Sequence, residues 1–231
     1  MQPPTLSIKQ IISLSGQLYF ENLFPILKVS LAGVIVSFPI SWLMSSDDYK
    51  THMLGLWLSP VSFFVTLLIL GTLILLFDQI SMGAPVCLSR AFYRSLTAFG
   101  RYFLCSVVAG LIICLGFFLL ILPGIYLSVI FLFAPYFSLL DGRGVWESLK
   151  ESKRIVKGDF WKILGVYALI ILSGCFLCFY TVLIKKLMDG AMAFIMVGIM
   201  NVIIAVLWPL FVAIFYNLFT KLKKIKTVPA A

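Results

Sequence analysis

The chain has 231 residues, of which 62% are hydrophobic and only 12% are charged, and its net charge is +9. Soluble domains carry about 25% charged residues, so this composition excludes a soluble globular protein and indicates an integral membrane protein. The positive charge does not indicate nucleic-acid binding, because the basic residues lie in short segments between apolar spans. The first residues lack the pattern of a cleaved signal peptide, so we expect the first crossing to be retained.

Uncharged stretches of the chain predict six transmembrane helices in a single all-α membrane domain, residues 1–231. A bilayer's hydrocarbon core is about 30 Å thick and takes about 20 helical residues. The predicted crossings lie at about 24–45, 55–79, 101–121, 124–140, 161–183 and 192–218.

The third and fourth crossings share the longest uncharged stretch, 39 residues between Arg101 and Asp141. A single helix of that length would reach roughly 58 Å, about twice the thickness of the hydrocarbon core. Near its middle, Pro123 lacks an N–H group and Gly124 tolerates unusual φ angles. We therefore predict a helical hairpin that turns at Leu122-Pro123-Gly124.

Three segments on one side of the crossings have apolar residues on one helical face and polar or basic residues on the other. They lie at about 7–21, 84–99 and 144–157. Each is expected to be an amphipathic helix in the membrane interface; alternatively, these helices cap the end of the bundle. Each would precede two crossings, which predicts three repeats at about 6–80, 81–140 and 141–220.

The basic residues predict the orientation of the chain. With both termini in the cytoplasm, fifteen of the eighteen Lys and Arg residues lie on that side and three on the other. The positive-inside rule therefore favours cytoplasmic termini. Basic residues of the inner helices are candidate contacts for anionic lipid headgroups, each contributing about 1 kcal/mol. These candidates are Arg90, Arg94, Arg101, Lys153, Arg154 and Lys157.

Polar groups inside the predicted crossings are candidate functional residues. Asp78 could bind a cation, relay a proton or pair with Arg90 or Arg94. The simpler interpretation is an interfacial aspartate that lies in water or in a structural ion pair. Asn201 could line a polar path or hold helices together by hydrogen bonds. Pro209 predicts a kink in the sixth crossing, which could act as a gate or only shape the packing.

The cysteine and histidine residues do not predict a metal, redox or catalytic site. Cys175 and Cys178 have the Cys-x-x-Cys spacing but lie in an uncharged span without histidine, so we interpret them as small apolar residues. His52, near Asp47 and Asp48 in a loop, lacks enough partners for a zinc site. No catalytic motif is present in the sequence. We therefore expect no enzyme and no cofactor.

One part of the chain follows a family pattern. Its residues are Pro123-Gly124-Ile125, Ala134-Pro135, Gly144, Ser148, Ser152 and Phe160-Trp161. The pattern resembles the YciC-like bacterial inner-membrane proteins and is more distantly similar to the membrane domain of some glycerophosphodiester phosphodiesterases. The resemblance is strongest over about 100–165. It implies a six-helix protein of a bacterial inner membrane, and it implies neither a ligand nor the phosphodiesterase reaction, which belongs to a separate soluble domain.

Two functional hypotheses follow. The first is a non-enzymatic inner-membrane protein with a role in the bilayer or envelope, which binds anionic lipid on its basic side and handles lipid in a groove between repeats. The second is a small transporter or channel in which Asp78 and Asn201 lie near the path. A dry, closed bundle would count against the second hypothesis.

Overall fold

The computed structural model describes residues 8–44, 48–187 and 190–227, and these ranges contain helices and short connections only. In chain order the helices are α1 (Ile8–Glu21), α2 (Leu23–Met44), α3 (Tyr49–Ser81), α4 (Leu88–Leu119), α5 (Ile121–Ile130), α6 (Ala134–Leu140), α7 (Val145–Val156), α8 (Phe160–Leu187) and α9 (Gly190–Thr227). The all-α fold predicted from composition and hydropathy is thus confirmed for the described residues.

Five segments of the described chain are long and apolar enough to cross a membrane. They are Leu23–Ile40, Tyr49–Ser81, Leu88–Leu119, Ile121–Leu140 and Ile195–Lys226. A shorter apolar stretch, Phe160–Phe176, lies in α8, where the fifth crossing was predicted. The multi-pass architecture is confirmed, whereas the count of six crossings and the three repeats stay predictions.

The predicted interfacial segment 84–99 does not form a helix of its own. It runs into the third crossing as one continuous helix, α4, of 32 residues. Gly100 does not end this helix, because one glycine inside a helix costs only about 1 kcal/mol. Aromatic stacking also holds the two parts together: the Phe99 and Phe103 ring centroids are 5.8 Å apart, and the Phe103 ring stacks on Phe64 of α3 at 5.1 Å.

The hairpin between α4 and α5 turns at Leu120, whose backbone is extended with φ −164° and ψ 152°. The predicted turn at Leu122-Pro123-Gly124 was therefore wrong by about two residues. Pro123 lies in the first turn of α5, where backbone N–H groups have no intrahelical acceptor, so its missing N–H costs no hydrogen bond. Gly124 serves close packing: a Cβ atom built on it would lie 2.4 Å from the Phe117 ring.

The fourth crossing is interrupted between α5 and α6, although the sequence predicted one helix over 124–140. Pro135 explains the break, because it has no N–H to donate to the carbonyl oxygen of Phe131 and its ring would crowd that carbonyl. The Phe131 oxygen instead accepts from the N–H of Ala134 at 3.1 Å. The chain therefore makes a short turn before α6 begins.

Ser152 of α7 supplies hydrogen bonds to the backbone at this break. Its hydroxyl donates to the carbonyl oxygen of Ile130 at 2.5 Å and accepts from the N–H of Phe133 at 3.2 Å. The side chain of Ser152 is fully buried. The buried face of α7 therefore rests on the bundle, which supports the capping alternative for this helix; its contact with lipid stays a prediction.

Helix α1 packs along α9 from Val206 to Lys221. Three hydrogen bonds join them: Lys221 to Gln10 at 3.1 Å, Asn217 to Ser15 at 2.9 Å, and Tyr19 to the carbonyl oxygen of Val206 at 2.6 Å. Residue numbers rise along α1 as they fall along α9, so the two helices are antiparallel. This contact sets α1 alongside α9, and the position of α1 in the membrane interface stays a prediction.

The contact of Tyr19 lies beside Pro209. Pro209 removes one backbone hydrogen bond from α9, and neighbouring side chains commonly satisfy the backbone groups that such a proline frees. The Tyr19 hydroxyl reaches the turn before Pro209, at Val206. Burial raises the pKa of the Tyr19 phenol, so the hydroxyl remains a donor. α9 continues as one helix through Pro209, and the predicted kink stays a prediction.

Candidate functional site: a polar basin and an apolar groove

The basic segments of the chain meet at one end of the bundle, which we call the basic end. Lys223 of α9 donates to the Asp141 carboxylate at 2.5 and 2.8 Å. Lys226 donates to the carbonyl oxygen of Lys157, after α7. These bonds join the end of α9 to the 141–144 connection and to the residue after α7. Since α1 also contacts α9, all four segments lie together at the basic end.

A polar basin of about 620 Å³ opens at the basic end between α1, α3, α4 and α9. A smaller hollow of about 320 Å³ adjoins it and shares Arg94, Leu140 and Asp141 with it. We call the two together the polar basin. The charged residues that line it are Asp78, Arg94, Arg101, Asp141, Lys223 and Lys224.

Asp78 lies at the floor of the basin and is 8% exposed. One carboxylate oxygen accepts from the Tyr216 hydroxyl at 3.0 Å, and the other lies 3.9 Å from the Arg94 guanidinium. The Tyr216 hydroxyl also lies 2.7 Å from the hydroxyl of Ser81. The structure thus places Arg94, rather than Arg90, beside Asp78. The buried carboxylate thus has a hydrogen bond from Tyr216 and an arginine beside it, an arrangement that fits the interpretation as a structural ion pair.

Arg101 lies at the rim of the basin over the end of α6. Its Nε donates to the carbonyl oxygen of Ser138 at 3.0 Å, which satisfies a backbone acceptor in the last turn of that helix. Gly142 follows with φ 72°, a left-handed conformation that favours glycine. A Cβ atom on Gly142 would lie 3.5 Å from the Arg101 guanidinium, an ordinary van der Waals distance, so the positive φ and not close packing favours glycine there.

An apolar groove of about 690 Å³ runs through the membrane part of the bundle, between α3, α4, α5, α6, α8 and α9. On α4 its lining extends from Tyr102 to Ile113, a distance of about 16 Å. Gly110 and Gly174 also line it, and a Cβ atom on either would meet nothing within 4 Å. The groove therefore contains open space at both glycines. The end of the groove nearer the basic end begins at Tyr102, one residue after Arg101.

Of the residues predicted from the sequence, Arg94, Arg101 and Asp78 line the basin together. Asn201 does not join them: its side chain donates to Val197 of its own helix at 2.8 Å, and it precedes Tyr216 by fifteen residues, or about 22 Å along α9. The structure therefore does not unite the two polar groups on which the transporter hypothesis relies.

The remaining predicted lipid contacts lie outside the basin. These are Arg90, Lys153, Arg154 and Lys157, all exposed. Arg154 pairs with Glu151 at 2.6 Å, and exposed pairs of this kind contribute about 0–1 kcal/mol. Asp47 and the side chain of Cys178 lie outside the described residues. Cys175 lines the apolar groove, in keeping with an apolar role.

Several residues of the site were not predicted from the sequence. Tyr216 and Asn217 carried a usable signal, because two adjacent polar residues stand near the end of a long apolar helix. Asp141 and Lys223 gave no such signal, since charged residues are ordinary at the ends of crossings. Their pairing depends on contacts between elements that are 82 residues apart.

Comparison with known proteins finds one family. The family model described as uncharacterised protein family UPF0259 matches residues 44–216. A UPF0259 membrane protein of Sodalis glossinidius is 27% identical over 132 residues, covering 53% of this chain and 52% of that protein. UPF0259 membrane proteins of Serratia proteamaculans and Photorhabdus laumondii are 24% and 25% identical over 140 residues, covering 61% of this chain and 56% and 54% of those proteins. The chain thus spans about half the length of the curated relatives it matches. No solved structure matches at a significant level.

Proposed function

The chain belongs to the uncharacterised protein family UPF0259, and from this premise we propose that it is a non-enzymatic membrane protein that binds anionic phospholipid. In this proposal one acyl chain lies in the apolar groove, and the headgroup phosphate lies at Arg94 and Arg101. The observation that carries the proposal is the groove itself, which is open along about 16 Å of α4 and ends beside a basic basin.

The length of the groove supports a lipid of one leaflet. Half of a hydrocarbon core of about 30 Å is about 15 Å, close to the distance from Tyr102 to Ile113. A lipid whose acyl chain fills this length brings its headgroup to the level of Arg101. A ligand that crosses the bilayer would need a path of twice this length.

Selectivity in this proposal comes from the headgroup. The acyl chain gains little from leaving the bilayer, since lipid tails are as apolar as the groove, and only close packing contributes. Each basic residue near an anionic headgroup contributes about 1 kcal/mol. Arg101, and Arg94 to the extent that Asp78 does not offset its charge, therefore favour an anionic over a zwitterionic lipid by about 5- to 30-fold.

Both carboxylates of the basin are bound by donors of the protein, which supports a role without catalysis. The Asp78 carboxylate is held by Tyr216 and Arg94, and the Asp141 carboxylate by Lys223. A general base needs a carboxylate that can take up a proton from a bound substrate. Both carboxylates of the basin are instead engaged by donors of the protein.

We also propose that the basic end faces the cytoplasm of a bacterial inner membrane, with both termini on that side. The support is the excess of Lys and Arg at this end. Green fluorescent protein fused after the last residue should fluoresce, and alkaline phosphatase fused there should be inactive. An active phosphatase fusion would contradict this orientation.

Lipid binding is tested with variants whose larger side chains fill the groove. Gly110→Leu and Gly174→Leu place side chains in its open space, and leucine does not weaken a helix relative to glycine. Native mass spectrometry of the purified double variant should show loss of the phospholipid that the wild type retains. Gly165→Leu is the matched control, because Gly165 is an exposed residue of α8 outside the groove.

A second pair of variants tests the headgroup contact. Arg94→Gln with Arg101→Gln should keep a bound lipid but lose the preference for phosphatidylglycerol over phosphatidylcholine. Arg90→Gln with Arg154→Gln removes the same charge outside the basin and should keep the preference. The proposal fails if the wild type retains no phospholipid, or if the groove-filling variant retains as much as the control.

A further inference from the structure

A second cavity at the basic end has a different charge pattern from the basin. It is a cleft of about 700 Å³ between α1 and the last turns of α9, which we call the lysine cleft. Three lysines line it, Lys9, Lys221 and Lys224, and no carboxylate is among its lining residues in the described part of the chain. Lys224 also lines the basin, where by contrast Arg94 and Lys223 have acidic partners.

The four lysines at the end of α9 differ in the partners of their ammonium groups. Lys223 is paired with Asp141, and Lys226 donates to a backbone carbonyl. Lys221 donates only to the neutral side chain of Gln10, at 3.1 Å, and Lys224 has no acidic partner among the described residues. The three lysines that line the cleft thus form no ion pair with an acidic residue of the described part of the chain.

The floor of the cleft is polar, and hydrogen bonds join its side chains. Asn217, which is 5% exposed, donates to the Ser15 hydroxyl at 2.9 Å. Ser15 in turn contacts the carbonyl oxygens of Ile11 and Ala213 at 2.7 and 3.3 Å. These bonds hold α1 against α9, so the lysines of both helices are kept on the two sides of one cavity without a ligand to bring them together.

The position of the cleft along α9 gives its level relative to the membrane. The apolar part of α9 begins at Ile195, and a hydrocarbon core takes about 20 residues of helix. Residues 217–224 therefore lie at the level of the headgroups and the adjoining water. A ligand of this cleft is accordingly reached from the headgroup layer or from the aqueous side.

We propose that the lysine cleft binds the phosphate group of an anionic compound, at a site separate from the groove. Lysine binds phosphate as a point charge, and neutral donors such as Gln10, Ser13 and Gln17 line the same cavity. A phosphate has more acceptor oxygens than a carboxylate, so it uses this set of donors more fully. The phosphate is carried either by a membrane lipid or by a soluble compound.

The test uses the full chain in nanodiscs of phosphatidylcholine, with two probes. In one arm sodium pyrophosphate is titrated and binding is measured by calorimetry. In the other arm some phosphatidylglycerol is included, and its retention is measured by native mass spectrometry in the groove-filled background Gly110→Leu, Gly174→Leu, so that lipid in the groove does not contribute. The variant Lys9→Gln, Lys221→Gln, Lys224→Gln should bind on the order of 100-fold more weakly, since each lysine contributes about fivefold.

A matched control removes three exposed lysines outside the cleft, by Lys28→Gln, Lys50→Gln and Lys150→Gln. It should change binding little. Binding of pyrophosphate would identify a soluble phosphate as the source, and retention of phosphatidylglycerol alone would identify a lipid. Absence of binding in both arms, or equal weakening by both triple variants, would overturn the proposal.

The groove-filling variant keeps the two proposals apart. Gly110→Leu with Gly174→Leu should leave pyrophosphate binding unchanged, because neither glycine lines the lysine cleft. Loss of pyrophosphate binding in this variant would contradict a separate site. The lysine cleft therefore stands or fails independently of lipid binding in the groove.

Discussion

Replacing Ser152 by alanine should destabilise the protein strongly, although the change removes a single oxygen atom. Ser152 is fully buried on α7, and its hydroxyl contacts two backbone groups at the break between α5 and α6. Alanine leaves the carbonyl oxygen of Ile130 without this donor and the N–H of Phe133 without this acceptor. Water cannot readily replace the hydroxyl in a buried position.

The magnitude follows from the two groups left behind. A buried donor or acceptor without a partner costs about 1–3 kcal/mol, so two such groups cost about 2–4 kcal/mol after partial relaxation. For a protein of this size each kcal/mol lowers Tm by about 2–4 °C. The expected decrease in Tm for Ser152→Ala is therefore roughly 4–16 °C.

Ser148→Ala is the matched control, one turn earlier on the same face of α7. Its side chain is also fully buried, but its hydroxyl makes one long hydrogen bond, 3.4 Å to the carbonyl oxygen of Arg143, and a weak contact with the thiol of Cys105. Its loss should cost less than about 1 kcal/mol. Thermal unfolding in one detergent measures both variants. A Ser152→Ala variant no less stable than Ser148→Ala would refute the role assigned to Ser152.

Two further predictions concern the hairpin and the basin, and both are measured by thermal unfolding. Gly124→Ala should lower the free energy of unfolding by about 1–3 kcal/mol, because its Cβ would overlap the Phe117 ring. Gly110→Ala, in open space, should be neutral or stabilising. Equal stability of the two variants would contradict the close packing at Gly124. Tyr216→Phe should cost about 1–3 kcal/mol, since it leaves a buried carboxylate short of a donor. Combined with Asp78→Asn it should cost less than the sum of the single changes, and strict additivity would contradict their contact.

The sequence predicts those helices whose position follows from the spacing of polar and apolar residues along the chain. The amphipathic segments at 7–21 and 144–157 correspond closely to α1 and α7, because charge and apolar residues alternate with helical spacing there. The segment 84–99 has the same pattern, yet it continues into the next crossing. Phe99 and Phe103 of this segment contact Phe64, which lies on another helix, and the local pattern does not show that contact.

The features that the sequence did not predict depend on contacts between distant residues. The break before α6 has a local cause in Pro135, but its hydrogen bonds come from Ser152, about twenty residues later in the chain. The partner of Asp78 is Tyr216, 138 residues away. Hydropathy indicates that such groups lie near a membrane surface, and only the packing of α3 against α9 shows that they meet.

The most direct test of lipid binding is a cryo-electron microscopy map of the full chain in nanodiscs that contain phosphatidylglycerol. The proposal predicts elongated density in the apolar groove, running along α4 from Ile113 to Tyr102 and ending in a headgroup beside Arg101. A groove that is closed by side chains, or open without any ordered density, would contradict the central claim that this protein holds a phospholipid of one leaflet.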